Sequence, residues 1–300
     1  MEEQKQNIGK RMANFHNKYY KHLLLIPLAI FLLSFAYMFF FYSVNHDFIY
    51  KDVTLAGGTS VTIYGDIDSS KLKQQLSSQL NDINTREIYD LGTKERIAVV
   101  IETKSDGDVT KKALENYLGY KLTSENSSFE FTGAVLSQSF YQQLLMAIFF
   151  AFLFMSAVVF IIFRKTIIPS VAVILSAFAD IFMTLTIVNI LGIKMSSAGL
   201  VAFLMLIGYS VDTDILLTNR VLRSNDDSSL NQKIFKSFKT GITMTLTSLF
   251  AVVVSLVISF FYSSTVLTQI FTILTIGLFF DILNTWVTNV SIIKWYVIRK

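Results

Sequence analysis

Three stretches of this chain carry no charge at all. Residues 141–163, 166–179 and 240–280 contain no Asp, Glu, Lys or Arg. A helix crosses a bilayer in about 20 predominantly apolar residues, so runs of this length set the fold class before anything else is known. With 52% hydrophobic residues, 16% charged residues and 27 Phe, the chain reads as an α-helical polytopic membrane protein. Six spans are expected, at 23–42, 141–163, 168–191, 197–219, 240–261 and 269–293. Pro27 falls in the first turn of span 1, where its missing N–H is tolerated, and Pro169 stands at the start of span 3. Arg164-Lys165 stops span 2, a short turn at 192–195 separates spans 3 and 4, and Tyr262-Ser263-Ser264-Thr265 breaks spans 5 and 6 apart. Span 1 is long enough to cross and no small-residue cleavage site follows it, so no signal peptide is read.

The basic residues are unevenly placed. Fifteen Lys and Arg flank one side of the spans: in residues 1–22, at 164–165, in the 220–239 connection and in the tail 294–300. The other eleven lie in 44–140 and at Lys194. Positive residues mark the cytoplasmic side, so both termini are expected in the cytoplasm of a cell-membrane protein. Tyr19 and Tyr20 read as interfacial anchors. The sequence pI near 9 is explained by this topology, and no nucleic-acid partner is read.

Residues 43–140 change character. Between 44 and 140 there are 14 acidic and 10 basic residues and periodicity of a soluble kind. Gly57-Gly58 opens an alternating strand at 59–64. A helix at 69–80 carries Leu72, Leu76 and Leu80 on one face with Asp68 or Ser69 as N-cap. Strands at 86–91 and 96–102 flank a Gly-Thr-Lys turn, Asp108 caps a second helix ending before Gly119, and 128–131 forms a last strand. The β-α-β-β-α-β order is that of a ferredoxin-like fold, here an extracytoplasmic domain. Asn126-Ser127-Ser128 matches a glycosylation acceptor on the outer side, a match short enough to arise by chance.

Four carboxylates fall inside spans: Asp180, Asp212, Asp214 and Asp281. A charge at the centre of a membrane helix costs about 2.5–3.5 kcal/mol on insertion scales, so each points to function before packing. At 1.5 Å per residue, Asp180 and Asp281 lie roughly 18 Å from the inner ends of their helices, and Asp212 roughly 10 Å. Asp214 lies shallower still. Asp212 and Asp214 are separated by about 200° around the helix, so they address different neighbours, one of them a partner or a water-filled cleft. Asp281, Asn284, Thr285 and Thr288 form a polar stripe on span 6, and Thr240, Thr243 and Thr247 a similar one on span 5. Seams of Thr and Asn also simply hold helices together. A buried Asp can titrate near neutrality and so load and release a proton. Arg220 and Lys239 are the basic residues near enough to pair at the inner side.

No P-loop, no His-Glu-x-x-His and no Cys occur, so no catalytic residue, cofactor or metal site is read, and the chain is not expected to be an enzyme. An aspartyl protease would use paired Asp residues, but Gly208-Tyr209-Ser210-Val211-Asp212 lacks the Gly-x-Gly-Asp signature of that class.

One insertion after span 1, five further spans, and Ile207-Gly208-Tyr209-Ser210 in span 4 resemble the SecF family of protein-export membrane proteins, within the resistance-nodulation-division superfamily. Ala56-Gly57-Gly58-Thr59 matches the family's Gly-Gly-Thr, and Thr243–Thr247 its Thr/Ser-rich opening of span 5. Where bacterial members continue with Asn-Asp, this chain has Asp212 and Thr213, followed by Asp214, the form of the archaeal branch. Arg220 matches a family Arg, Lys239 replaces another, and Thr54 stands where the family has an Asp. The resemblance implies half of a twelve-span assembly completed by SecD, docked near a SecYE-type translocon channel, acting on translocating polypeptide and coupled to a proton gradient. The other reading is a half-transporter of the same superfamily exporting small molecules or lipids, for which an outer domain of about 90 residues is small.

Overall fold

The computed structural model describes residues 22–90, 93, 95–223, 228–261 and 265–299. The basic N-terminal segment with Tyr19 and Tyr20, most of the Gly-Thr-Lys turn, Tyr262-Ser263-Ser264 and Lys300 lie outside the described residues.

The small domain runs β1 (Gly58–Tyr64), α3 (Ser69–Leu76), β2 (Asn84–Tyr89), β3 (Arg96–Thr103), α4 (Gly107–Leu118) and β4 (Ser127–Thr132), preceded by α1 (Leu25–Asn45) and the single turn α2 (Val53–Ala56). The sheet order is β2-β3-β1-β4, with every neighbouring pair antiparallel, which is the ferredoxin-like topology. Alternation along β1 puts Val61 and Ile63 under the two helices, against Leu72, Leu76, Val99, Ile101 and Leu114. Each such side chain contributes about 1.5–3 kcal/mol when fully buried. At the edge of the same face Phe129 and Phe131 of β4, opposite Val61 and Thr59, are exposed.

Two helix boundaries differ from the sequence reading. Helix α3 ends at Leu76, and Leu80 still reaches the core through a following turn. The N-cap of α4 is Asp106, not Asp108: its extended backbone lets the carboxylate accept from the Asp108 N–H at 2.9 Å. Asp108 instead occupies the first turn, where a negative charge meets the positive end of the helix. Asp68 caps α3, accepting from the Ser70 and Lys71 N–H groups.

The bundle consists of α1, α5 (Ala134–Ile162), α6 (Ile167–Ile190), α7 (Ser197–Arg223), α8 (Leu230–Phe261), and a last helix made of α9 (Thr265–Leu283), a π-helical segment Asn284–Asn289 and α10 (Val290–Arg299). All six are long and apolar enough to cross a membrane. Helices α6 and α7 are each 56% buried over their most apolar window, whereas α5 and α8 are 6% and 11% buried. The centre is therefore α6, α7 and the last helix, with α1, α5 and α8 at the rim. Because lipid is as apolar as Leu, close packing of small residues holds such helices together. A Cβ on Gly241 would sit 2.4 Å from the Trp286 ring, and one on Gly277 2.5 Å from Leu206.

Several helices outrun their expected membrane segments. Helix α8 begins at Leu230 because Ser229 and Gln232 form a reciprocal cap, N–H to side chain in both directions, a capping box. The 220–239 connection is thus largely helical.

The domain meets the bundle through main chain. Lys51 forms a parallel bridge with Met195, the Asp52 N–H donates to the Met195 carbonyl at 3.0 Å, and the Ser197 N–H donates to Thr54 Oγ1 at 3.0 Å. Lys194 pairs with Asp82 of the domain. Gly57, at φ 81°, passes so close to Ala134 that a Cβ would lie 2.4 Å from its Cα, which explains the Gly-Gly entry into β1.

Candidate functional site

At the middle of the bundle, α7 presents a run of small polar residues to its two inner neighbours. Ser210 is fully buried and its hydroxyl donates to Asp180 Oδ2 of α6. From the last helix, the Asn284 amide donates to Asp180 Oδ1 at 2.6 Å. One turn along α7, Thr213 Oγ1 donates to Asp281 Oδ1 at 2.9 Å. Asp281 also accepts from Thr285 at 3.2 Å and from Thr245 of α8 at 3.4 Å. Asp180 and Asp281 are both fully buried. Hydrogen bonds to a charged group contribute about 1.5–3 kcal/mol each, so two at Asp180 and three at Asp281 offset an insertion cost of about 2.5–3.5 kcal/mol. The site is affordable as a polar knot tying four helices.

Asp214 is equally buried but less satisfied. Its Oδ1 accepts from the Asn289 amide at 2.7 Å, while Oδ2 has no hydrogen-bond partner among the described residues. Asp212 lies on the other side of α7, exposed beside Gly208, Tyr209 and Met205. It makes no hydrogen bond or ion pair to another described residue. One helix therefore carries carboxylates on two faces, Asp214 toward its own bundle and Asp212 away from it.

The basic candidates do not meet these acids. Arg220 donates to the Lys236 carbonyl at 2.8 Å and to Thr240 Oγ1 at 3.0 Å, fastening α7 to the start of α8. Lys239 is exposed and in no ion pair among the described residues. Both are corrected as pairing partners of the aspartates: the arginine reaches the nearer hydroxyl and carbonyl of α8, and α8 turns Lys239 outward.

The threonine stripe of span 5 is corrected too. Thr243 and Thr247 are exposed and donate to carbonyls one turn back on their own helix, both at 2.7 Å. The inward residue is Thr245, overlooked in the sequence. Ser237, Gly241 and Thr245, each buried, form a small-residue stripe at i, i+4, i+8 that would have pointed to it. On the last helix the π segment inserts one extra residue into the turn. Thr288 is displaced to a half-buried position and bonds back to Asn284 at 3.2 Å. Asn289, also overlooked, takes its place inside.

Near the domain side, Gln269 ties the α6–α7 turn to the last helix, with Nε2 donating to the Lys194 carbonyl at 2.6 Å and Oε1 accepting from Ser196. In the clasp, Asp52 accepts from the Thr54 N–H and hydroxyl, and burial pushes its carboxyl above the ordinary range.

Known proteins are similar to this chain in sequence and in fold. The family model described as protein export membrane protein SecD/SecF, C-terminal, matches residues 110–299. Protein-export membrane protein SecF of Methanocaldococcus jannaschii is 37% identical over 93% of this chain and 96% of its own length. That of Methanothermobacter thermautotrophicus is 36% identical over 93% of each chain. Among solved structures, SecDF of Thermus thermophilus, described as a translocon-associated membrane protein, superposes with a TM-score of 0.70 at 18% identity, over 93% of this chain. This chain spans 38% of the length of that one.

Proposed function

The chain belongs to the SecD/SecF family of protein-export membrane proteins, and we propose that its bundle couples an ion gradient to the export role of its SecF relatives. As an accessory subunit of Sec protein export it pairs with a SecD-type subunit, which supplies the remainder of a SecDF-like assembly. Both termini lie in the cytoplasm and the ferredoxin-like domain outside, beside the translocon channel and the emerging polypeptide. The excess of Lys and Arg at the ends of the spans away from the domain supports that orientation.

One observation carries the coupling: two fully buried aspartates, on α6 and on the last helix, are held by neighbouring hydroxyls of a single helix, α7. A change in protonation at Asp180 or Asp281 rearranges bonds to Ser210 or Thr213, and so reaches α7 directly. On the outer face of α7, Asp212 is placed to meet the SecD-type partner. Moving one charge through the membrane field releases about 2.3 kcal/mol per 100 mV, enough to shift a two-state helix arrangement by more than tenfold.

The test is export of a secreted reporter in cells whose own copy is replaced, measured with and without an imposed proton gradient. Asp281→Asn and Asp180→Asn should retain gradient-independent export and lose the gradient-stimulated part. Gradient stimulation that survives both changes overturns the coupling. Asp212→Asn should co-purify with the partner yet export less.

A further inference from the structure

One motif of the chain takes no part in the bundle: Asn126-Ser127-Ser128, in the turn between α4 and β4. Strand β1 leaves the clasp at Gly58, where it pairs with Thr132, and ends with Ile63 opposite Ser127. Asn126 therefore stands at the end of the sheet opposite the clasp. Strand β4, roughly 20 Å long at about 3.3 Å per residue, separates it from the start of α5. Ser124, Glu125 and Ser128 are exposed and Asn126 is partly so. The turn is firmly built. The Ser127 N–H donates to the Thr123 carbonyl at 2.9 Å, and the Asn126 carbonyl accepts from the Tyr64 N–H at 2.9 Å. The Asn126 side-chain oxygen accepts from the Thr123 N–H at 2.8 Å, and Nδ2 donates to the Lys121 carbonyl at 3.0 Å.

An Asn amide carries two N–H donors, and the turn uses one of them. N-glycosylation replaces a single hydrogen, so one donor remains for the turn. Ser128, two residues on, supplies the hydroxyl of the acceptor sequence, and its exposure leaves it open to a transferase. A second observation comes from the two edges of the sheet. Free edge strands invite pairing with another chain, and native proteins blunt them with Lys, Pro, bulges or a covering group. The β2 edge is blunted: its register shifts between Ile88 and Tyr89, and its Arg86 and Glu87 are held in ion pairs. The β4 edge is not. Its register with β1 is unbroken, it holds neither Lys nor Pro, and Phe129 and Phe131 are exposed on it. A carbohydrate rooted one residue before β4 is bulky and hydrophilic, and it screens this edge as the irregularity protects β2.

We propose that Asn126 carries an N-linked glycan, transferred from a lipid-phosphate-linked oligosaccharide. In the transfer Asn126 Nδ2 forms a bond to the anomeric carbon of the sugar. The bond from that carbon to the phosphate oxygen breaks, and the lipid phosphate leaves with the electron pair. The displaced amide proton passes to a base of the transferase, and nothing is oxidised or reduced. The glycan rests on the outside position of the domain proposed above, and the two are read separately.

The test is mass spectrometry of the peptide spanning Asn126, in the full chain isolated from its native membrane, together with gel mobility. The peptide should carry an oligosaccharide mass on Asn126. Ser128→Ala, which removes the acceptor hydroxyl and leaves the turn bonds of Asn126 in place, should lose that mass and migrate faster than the parent. Ser128→Thr, which keeps a hydroxyl, should migrate with the parent. The side of the membrane is read by Glu125→Cys in the Ser128→Ala background, the chain having no cysteine of its own. A membrane-impermeant maleimide added to intact cells should label it. A labelled cysteine with an unmodified Asn126 in the parent overturns the glycan and leaves the orientation standing. A cysteine labelled only after the cells are broken overturns the orientation and the glycan with it. A slow band that persists in Ser128→Ala overturns the assignment to Asn126.

Discussion

Three hydroxyls converge on the Asp281 carboxylate, and the one from α8 comes from the threonine that spacing alone does not select. Thr243, Thr245 and Thr247 are chemically alike, yet only Thr245 crosses to another helix; the other two bond to their own backbone. Thr245→Val should therefore lower the stability of the detergent-solubilised protein by about 1–3 kcal/mol, the cost of leaving a buried acceptor short of a donor, and Thr245→Ser should restore most of it. Thr243→Val and Thr247→Val should stay within about 0.5 kcal/mol of the parent, as exposed substitutions do. Thermal unfolding of the four variants side by side decides the matter; equal losses would show that Asp281 draws nothing from α8. The aspartates were legible because charge is rare in such runs. Which threonine faces them was not, since Thr is tolerated on lipid and protein faces alike, and only the neighbouring small residues distinguish the two.

Among the elements, the last helix departs furthest from regular periodicity. Six residues of π helix admit an extra residue into a single turn, so the polar stripe read at i, i+3, i+4, i+7 shifts along to Asn289. Composition does not encode such a shift; within the segment lies Trp286, whose ring stands against the backbone of α8 at Gly241 and edge-on to Phe238. This contact makes Gly241 and Gly277 an informative pair. Gly241→Ala places a methyl against a rigid indole and should cost about 1–3 kcal/mol by overpacking. Gly277→Ala meets the methyl ends of Leu206, which can rotate aside, so it should cost less. Equal Tm losses would mean that the indole moves as readily as the leucine. The ferredoxin-like domain was easier to read, because Val61, Ile63, Leu72 and Leu76 alternate or recur at the spacing that strand and helix demand.

Over the whole molecule, what the domain does to the bundle depends on the clasp at Lys51, Asp52, Thr54 and Met195, whose long-range partners no local pattern reveals. Its acid is Asp52, pushed up by burial and opposed by its bonds to Thr54. An acid whose folded pKa is raised binds its proton more tightly in the folded state. Its destabilising effect is then fully present above the folded value and is relieved as pH falls through that value toward the ordinary carboxylate range. Tm of the parent should thus gain on that of Asp52→Asn over this interval, because Asn caps a helix as well as Asp and does not titrate; parallel Tm curves would remove Asp52 as the source.

Whether the clasp opens during export is a separate matter, and its construction argues that it stays shut. Met195 exchanges main-chain hydrogen bonds with both Tyr50 and Asp52, the N-terminus of α7 is bonded by Thr54, and Gly57 is seated on Ala134 with no room for a Cβ. Four separate contacts would have to part together for the domain to swing free. Movement of α7 then carries the domain with it instead of sliding beneath it. The chain has no cysteine of its own, so Lys51→Cys with Met195→Cys introduces a single disulfide at a bridged pair, where the backbones already stand at strand-pairing distance, about 4.8 Å, within the usual span of a disulfide. Export by the oxidised double variant should equal export by the same protein after reduction. A block that reduction reverses would show that the clasp opens, and that the domain works by swinging away from the α6–α7 turn.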